Sequence, residues 1–339
     1  MKKIVVLAIT LVLISGCGNL DFSSDADAEK SVEEVAKNLQ IPWSINKHGD
    51  DFYISERVGT VAWIPAKGEV THQQVKLSSP LAKVSEAGLL GFVLKPTFEE
   101  TKEAFAYYTY DVNGQPFNRV VTLKLDGNSW TETTIHLDGI PTGNVHHGGR
   151  LEIGPDQLLY VTIGDASNPQ LAQDPTSRNG KIMRLNADGT WSIVSLGHRN
   201  PQGIAWNEDG SMYASEHGQS ANDEINKIVE GKNYGWPLIQ GNEQREGLES
   251  PLLHSGSNMT WAPSGMTFHK GKLYVAALRG EGVLVVNVDT AEIEETITGY
   301  GRIRDVFSNG EHLYFISNNT DGRGSPGADD DILYRYINE

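Results

Sequence analysis

The stretch Gly154-Pro155-Asp156-Gln157-Leu158-Leu159-Tyr160-Val161-Thr162-Ile163 joins a tight-turn signal to a short apolar run with a tyrosine inside it. Gly, Pro and Asp favour a turn, and a brief run of aliphatic, β-branched and aromatic residues favours a buried strand. The same kind of run recurs along the chain. The six tyrosine-centred runs are Phe52–Ser55, Phe105–Tyr108, Leu159–Thr162, Met212–Ser215, Leu273–Ala276 and Leu313–Ile316.

The spacing of these runs predicts the architecture. Tyr53, Tyr107, Tyr160, Tyr213, Tyr274 and Tyr314 are separated by 54, 53, 53, 61 and 40 residues, and further strand-like runs lie between them with almost no helical periodicity. A repeat of roughly 40–50 residues made of short strands is typical of one propeller blade. We therefore predict an all-β fold, a six-bladed β-propeller of four-stranded antiparallel blades. The alternative is two stacked β-sandwiches, which do not demand an equal period.

The N-terminus indicates export and lipidation. Two lysines precede an apolar run over residues 4–14, and Ser15-Gly16 stand before Cys17, the only cysteine of the chain. The run is shorter than the roughly 20 residues of a membrane-spanning helix, so a transmembrane anchor is the weaker interpretation. We predict a lipoprotein signal peptide over 1–16, a lipidated Cys17 with an acidic tether over 17–38, and the propeller over 39–339. The mature protein would then be extracytoplasmic and anchored to the cell membrane by lipid.

The charge excludes one class of partner. Removing residues 1–16 takes away two lysines and no acids, so the mature chain carries 26 basic against 44 acidic residues, a net charge of −18. Nucleic-acid binding needs a basic face that contacts phosphates. We therefore expect no nucleic-acid partner.

A candidate catalytic centre flanks the third tyrosine run. His146 lies in Gly143-Asn144-Val145-His146-His147-Gly148-Gly149-Arg150, and Asp165 follows Ile163-Gly164. A histidine base and a carboxylate that orients it are what general-base chemistry requires. Adjacent side chains on an extended segment point to opposite sides, so we expect His147 to be structural. Taken alone, His146 could be a structural histidine as well.

Other charged segments also lie at the ends of the predicted strands. Arginines at several of these ends would form a local positive pocket suited to a polyanion. No glycine-rich phosphate loop, zinc-binding His-Glu-x-x-His or Gly-x-Ser-x-Gly elbow occurs, which weakens nucleotide, zinc-protease and serine-hydrolase readings. The segments are Ser85–Gly91, Gly197–Gly203, Ser215–Gln219, Leu278-Arg279 and Arg302–Asp305.

Taken in order, the motifs give the chain from Leu39 onward a resemblance to a known family. It resembles the soluble-type pyrroloquinoline quinone (PQQ)-dependent sugar dehydrogenases, the glucose/sorbosone or aldose sugar dehydrogenase group, whose fold is a six-bladed propeller. The motifs are Ile41–Ser44, Glu56–Gly59, Gly88–Gly91, His146–Arg150, Ile163–Asp165, Gly197–Gly203, Asp223–Asn226, Asn233–Pro237 and Arg302–Val306.

The resemblance implies a role for each matching residue. His146 corresponds to the base that removes the proton of the sugar C1 hydroxyl while C1 gives hydride to the quinone, Asp165 to the carboxylate that orients it, and Arg199 to the arginine beside the reactive carbonyl. An external electron acceptor would reoxidise the cofactor. The implied cofactor-binding residues are Glu86, Asn200, Thr260, Arg279, Arg302 and Arg304.

The resemblance also implies calcium. Carbonyls of Gly218 and Gln219 correspond to ligands of a Ca²⁺ ion beside the cofactor, and Glu224 and Tyr234 match positions used for a second, structural Ca²⁺. Two positions depart from the family pattern. Arg279 stands where glucose-oxidising members carry lysine, which keeps the charge and changes its shape. Gln219 replaces a common proline and so loses its rigidity.

The implied activity is PQQ- and calcium-dependent oxidation of aldoses at C1 to lactones. One alternative is a calcium-dependent propeller lactonase or related hydrolase, which would want carboxylates converging in the channel. The other is a non-catalytic extracellular binding propeller, against which the joint presence of His146, Asp165, Arg199 and Arg302 argues.

The lipid anchor can be tested at Cys17. Because the lipid would be attached to this thiol, we expect Cys17→Ser to leave the membrane fraction while its folded body keeps the thermal stability of wild type. Fractionation and a melting curve measure both quantities. Retention of the processed variant in the membrane would contradict the lipoprotein prediction.

Overall fold

The computed structural model describes residues 32–337, almost all of whose regular structure is β-strand. The first thirteen strands are β1 (Val32–Ala36), β2 (Pro42–His48), β3 (Asp51–Glu56), β4 (Thr60–Ile64), β5 (Thr71–Lys76), β6 (Leu89–Leu94), β7 (Glu103–Val112), β8 (Gln115–Asp126), β9 (Ser129–Pro141), β10 (Gly148–Ile153), β11 (Leu159–Ile163), β12 (Lys181–Leu185) and β13 (Trp191–Leu196).

Twelve strands follow these, and the described residues add one short α-helix and one 3₁₀ turn. The strands are β14 (Pro201–Trp206), β15 (Met212–Glu216), β16 (Glu224–Ile228), β17 (Lys232–Asn233), β18 (Leu253–His254), β19 (Pro263–His269), β20 (Lys272–Ala277), β21 (Gly282–Asn287), β22 (Glu292–Thr298), β23 (Ile303–Ser308), β24 (Leu313–Ser317) and β25 (Leu333–Tyr336). The helix α1 spans Phe98–Thr101 and the 3₁₀ turn spans Pro169–Ala172. No helix among residues 32–337 is long and apolar enough to cross a membrane.

Hydrogen bonds join these strands into five sheets. Three sheets have four strands, in the orders β14-β15-β16-β18, β19-β20-β21-β22 and β1-β25-β24-β23. A fourth, β10-β11-β12-β13-β17, gains a fifth strand through the parallel pair β13–β17. The fifth sheet has eight strands in the order β2-β3-β4-β5-β9-β8-β7-β6, because β5 and β9 pair in parallel between two antiparallel four-stranded meanders.

The first strands of the meanders form a closed ring. β2 contacts β6, and the contacts continue through β10, β14, β19 and β23 back to β2. This arrangement is propeller-like and all-β, as the sequence predicted, and it differs from two stacked sandwiches. Each tyrosine-centred run lies in the strand next to the ring: β3, β7, β11, β15, β20 or β24. These second strands are buried on both faces, which explains their continuous apolar character.

A buried ion pair connects several strands at the centre of the ring. Arg150 Nη1 on β10 lies 3.1 Å from Asp305 Oδ1 on β23. Arg150 Nε donates to the carbonyl of Gln202 on β14 at 2.8 Å, and the backbone N–H of Ile45 on β2 donates to Asp305 Oδ2 at 2.8 Å. The guanidinium also lies over the Trp43 ring, 4.2 Å from its centroid. Four of the six ring strands are therefore joined through two charged side chains.

The folded body begins earlier than the sequence indicated. The predicted tether extends to residue 38, yet Val32–Ala36 forms β1 and pairs antiparallel with β25 near the C-terminus, Val32 opposite Tyr336. Val32 and Ala36 are buried in this pairing. Only a partner some 300 residues away makes this short segment a strand, so local sequence could not reveal it. The predicted signal peptide and Cys17 lie outside the described residues.

Candidate active site

The predicted site residues meet at one end of the ring. In an antiparallel meander the first strand begins where the second strand ends, so the segments at these points gather on one face. Residues before or at the start of first strands are Glu86, His146, Arg199, Asn200, Thr260 and Arg302. Residues after second strands are Asp165, Gly218, Gln219 and Arg279.

These segments enclose a cavity of about 410 Å³. Nine of the predicted residues line it: Glu86, His146, Arg199, Asn200, Gly218, Gln219, Thr260, Arg279 and Arg302. Asp165 lies behind His146. The lining also includes Asp223, from the motif Asp223–Asn226, and three residues for which no role was predicted: His217, Ser220 and Arg323.

His146 and Asp165 form the expected pair. The Nδ1 atom of His146 lies 2.8 Å from Asp165 Oδ1, and the Asp165 side chain is 1% exposed. A carboxylate only accepts hydrogen bonds, so Nδ1 carries the proton and Nε2 keeps its lone pair. Nε2 has no hydrogen-bond partner among residues 32–337, and the ring borders the cavity. The imidazole can therefore accept a proton from a group bound there.

Further hydrogen bonds orient the carboxylate of Asp165. The backbone N–H of Ser167 donates to Oδ1 at 2.8 Å, and Trp236 Nε1 donates to Oδ2 at 2.9 Å. The backbone N–H of Asp165 itself donates to the Arg199 carbonyl at 2.8 Å. The histidine is consequently held by a carboxylate whose two oxygens are both fixed.

The neighbouring His147 points elsewhere. Its ring is buried, with Nδ1 2.8 Å from Thr142 Oγ1 and Nε2 2.9 Å from the Ser85 carbonyl. The two histidines diverge for a reason other than an extended backbone, because His146 has a left-handed conformation with φ of 66°. His146 thus lines the cavity, and His147 does not.

Arg199 is anchored on three sides. Its backbone N–H donates to Glu216 Oε2 at 2.7 Å, its Nη1 donates to the His217 carbonyl at 3.3 Å, and its guanidinium lies over Trp236, 5.5 Å from the ring centroid. Burial lowers the pKa of Arg199, while the carboxylates of Asp165 and Glu216 oppose that shift. Its Nε is buried without a partner among the described residues, which leaves a donor for a bound anion.

Arg302 and Arg304 lie at different depths. Arg302 lines the cavity and pairs with Asp321 at 2.9 Å, with its Nε buried and unpaired among residues 32–337. Arg304 instead borders an inner chamber of about 20 Å³ beneath the cavity. Its Nη1 contacts Gln202 Oε1 at 2.9 Å and its Nη2 contacts Asn318 Oδ1 at 3.2 Å. Arg304 therefore does not line the positive pocket with the other predicted arginines, because it lies inside β23 whereas Arg302 precedes that strand.

Arg323 supplies the fourth arginine of the cavity. It comes from the segment between β24 and β25, and its Nη1 lies 2.8 Å from Glu86 Oε1. Burial alone would raise the pKa of Glu86, but the hydrogen bond from Arg323 and nearby positive groups lower it to about 2. No motif pointed to Arg323, since only the folded chain brings it beside Glu86.

Asp223 organises the side of the cavity that carries Gly218. Its Oδ1 accepts from the backbone N–H of Gly218 at 2.8 Å. Its Oδ2 accepts from Thr260 Oγ1 at 2.8 Å and from the backbone N–H groups of Trp261 and Ala262. Four donors satisfy this carboxylate, and through the Gly218 N–H it holds the predicted calcium-binding residues Gly218 and Gln219 in place. Thr260 lines the cavity with its hydroxyl hydrogen directed at Asp223.

Glu224 and Tyr234 lie next to a second, much smaller void behind Arg199. Burial and the nearby Glu216 carboxylate raise the pKa of Glu224 to about 8. The Tyr234 hydroxyl donates to the Lys227 carbonyl at 2.6 Å and accepts from the Val229 N–H at 2.9 Å. Its backbone carbonyl is therefore the group left for a cation. Within residues 32–337 no three His, Cys, Asp or Glu side chains converge as a metal-binding group.

The propeller-like body thus brings a paired histidine and four arginines around one cavity. The chain belongs to the glucose/sorbosone dehydrogenase family, whose model matches residues 39–334. It is therefore a member of an oxidoreductase family.

Individual relatives agree in sequence and fold. The aldose sugar dehydrogenase YliI of Escherichia coli K12 is 29% identical over 88% of this chain and 92% of its own length. The quinoprotein glucose dehydrogenase B of Acinetobacter calcoaceticus is 35% identical over 50% of this chain and 44% of its length. The PQQ-bound aldose sugar dehydrogenase of Streptomyces coelicolor superposes with a TM-score of 0.83 at 32% identity, covering 90% of this chain and 96% of that one.

Gly164 offers a test of how the site is built. A Cβ atom at this position would lie 1.9 Å from the carbonyl oxygen of His146, so the close approach of the two segments requires glycine. We expect Gly164→Ala to lower the free energy of unfolding by about 1–3 kcal/mol, as overpacking does. Gly327→Ala is the matched control, since its nearest neighbour would be 3.6 Å away. Equal stability of both variants in denaturant unfolding would contradict this account.

Proposed function

We propose that this protein oxidises the C1 hydroxyl of aldose sugars to lactones, with PQQ as the cofactor and Ca²⁺ beside it. The observation that carries the proposal is the Asp165-bound His146, whose Nε2 has no partner among residues 32–337 and which lines a cavity together with four arginines. The quinoprotein and PQQ-bound relatives support the choice of cofactor.

The residues around the cavity fit a polyanionic, planar cofactor. Arg199, Arg279, Arg302 and Arg323 line the cavity, against the carboxylates of Glu86 and Asp223. The Nε atoms of Arg199 and Arg302 are buried and unpaired among the described residues, as expected of donors reserved for a ligand. The volume of about 410 Å³ lies in the ordinary range for small-molecule sites. Asn200 and Thr260 add neutral polar contacts along the same wall.

The protein would contribute three things to the reaction. His146 Nε2 takes the proton of the C1 hydroxyl as hydride leaves C1, so the C1–H and O–H bonds break while the carbonyl of the lactone forms. Asp165 holds the ring in the required tautomer and stabilises the imidazolium that results. Arg199 stabilises negative charge that develops on the acceptor. The bound quinone supplies the two-electron acceptor, and an external acceptor then removes the electrons.

Calcium would be held largely by the backbone. Gly218 and Gln219 line the cavity, and backbone carbonyls suit a hard cation. In this structure the Gln219 carbonyl lies 3.5 Å from Arg199 Nη2, a long contact that a cation could replace. We assign the second Ca²⁺ to Glu224 and the Tyr234 carbonyl.

The six ring strands support six four-stranded blades, with the eight-stranded sheet counted as two blades joined by β5 and β9. A crystal structure that grouped these strands differently would exclude that count.

We further propose that the mature enzyme is anchored outside the cytoplasm through lipid on Cys17. The rival function, a calcium-dependent lactonase, would need carboxylates around the cation, whereas arginines outnumber carboxylates here by four to two.

The mechanism is tested at His146. A general base typically contributes about 10²- to 10⁴-fold, so His146→Ala should lose roughly that much turnover while still binding PQQ, because the arginines carry most of the attraction for the anion. The assay is aldose-dependent dye reduction by reconstituted protein, with PQQ binding followed by its absorbance.

His147→Ala is the control for that variant. Its ring faces away from the cavity, so the loss of turnover should be far smaller, even though two buried hydrogen bonds disappear. The assigned mechanism fails if His147 proves the indispensable residue, or if wild type takes up PQQ and reduces no dye with any aldose.

The two calcium sites can be separated. Chelation should lower the melting temperature and abolish dye reduction, and added Ca²⁺ should restore both. Glu224→Gln should remove one of the two bound ions and part of the calcium-dependent stability. Activity should still depend on Ca²⁺, because the ion beside the cofactor is held by the backbone carbonyls of Gly218 and Gln219, which this substitution does not change. Calorimetric stoichiometry and melting curves measure this, and full activity in excess chelator would exclude the assignment.

A further inference from the structure

His217 lies between two residues that border the cavity, yet the proposed reaction gives it no role. Its backbone N–H donates to the Asn200 carbonyl at 3.3 Å, and its own carbonyl accepts from Arg199 Nη1 at 3.3 Å. The backbone is therefore fixed in place by Arg199 and Asn200. The side chain borders both the main cavity and the inner chamber of about 20 Å³.

The hydrogen bonding of His217 differs from that of the structural histidines nearby. Both ring nitrogens of His147 are paired, and so are both nitrogens of His198, with Ser195 Oγ and Glu216 Oε1 each 2.8 Å away. The ring of His217 makes no hydrogen bond to residues 32–337, and its Nε2 is buried. A buried polar atom without a partner is destabilising, so its presence calls for a reason.

The main cavity and the inner chamber, which both border His217, suggest why its ring has no protein partner among residues 32–337. The inner chamber is large enough for one water molecule, and Arg304 Nε, another buried and unpaired donor, belongs to a residue that borders the same chamber. A water there could bond both Nε2 and Arg304. The other edge of the imidazole would then be fixed toward the main cavity, where it can meet a bound molecule.

We propose that His217 is a further cofactor-binding residue, whose imidazole hydrogen-bonds a polar edge of the bound quinone. The inference rests on the proposed function. It explains why the His217 ring has no hydrogen-bond partner within residues 32–337, whereas the rings of His147 and His198 have two each. It also explains why the residue is fixed between Arg199 and Asn200, which flank the same ligand.

The test compares His217→Phe with His217→Gln and uses purified apoprotein titrated with PQQ in the presence of Ca²⁺. Loss of one hydrogen bond should weaken PQQ binding by about three- to tenfold in His217→Phe, and His217→Gln, which can still donate and accept, should recover most of the affinity. The apoprotein of His217→Phe should melt at the wild-type temperature or higher, because an unpaired polar atom has been removed.

His147→Phe provides the opposite signature. It removes two satisfied hydrogen bonds away from the cavity, so its apoprotein should melt at a lower temperature while its PQQ affinity stays within about twofold. Wild-type affinity in His217→Phe would overturn the role of His217 and leave the proposed function intact. A lower melting temperature of both His217 variants, without recovery of affinity by Gln, would make the residue structural. Failure of wild type itself to bind PQQ would overturn both proposals.

Discussion

Around Arg150 and Asp305 the strands of the ring meet through a single buried pair of charges. Arg150 belongs to β10 and Asp305 to β23, and hydrogen bonds from this pair reach β2 and β14. Gly265 on β19 adds a fifth strand, since a Cβ atom there would lie 1.6 Å from Asp305 Oδ1. Removing one partner of a buried pair typically costs about 3–5 kcal/mol. Burial also raises the pKa of Asp305, which the Arg150 charge opposes, so each charge depends on the other.

The central pair fixes where the functional loops are. The first strands begin at one end of the ring, and the segments that precede them carry Glu86, His146, Arg199 and Arg302. A ring held at its centre cannot let one meander slide along its neighbour without breaking the hydrogen bonds of Arg150. The cavity is therefore assembled from residues more than 200 positions apart, and its geometry depends on strands that contribute no side chain to it.

Local sequence predicted the strands and most of the residues around the cavity because both have local signals. The tyrosine runs are continuous apolar segments bounded by turns, and residues such as His146 and Arg199 lie at the strand ends that those runs define. The resemblance supplied their roles. β1 and Arg323 had no such signal, because each depends on a contact with a partner that is distant in the sequence. β1 is a strand because it pairs with β25, and Arg323 is held at the cavity by its ion pair with Glu86. The number of hydrogen-bonded sheets could not be predicted either, because no local pattern indicates that β5 and β9 pair in parallel.

Two buried, unpaired donors beside the cavity share one explanation. Arg199 Nε and Arg302 Nε are both buried without partners among residues 32–337, and both residues border the cavity. Elsewhere in the site the buried carboxylates of Asp165 and Asp223 are fully hydrogen-bonded. A natural sequence departs from local satisfaction mainly where function requires it. A ligand that satisfies these atoms binds only the folded state, so it also stabilises the ring. The same unsatisfied donors that weaken the apoprotein would therefore contribute to binding an anionic cofactor, which would hold the converging segments together.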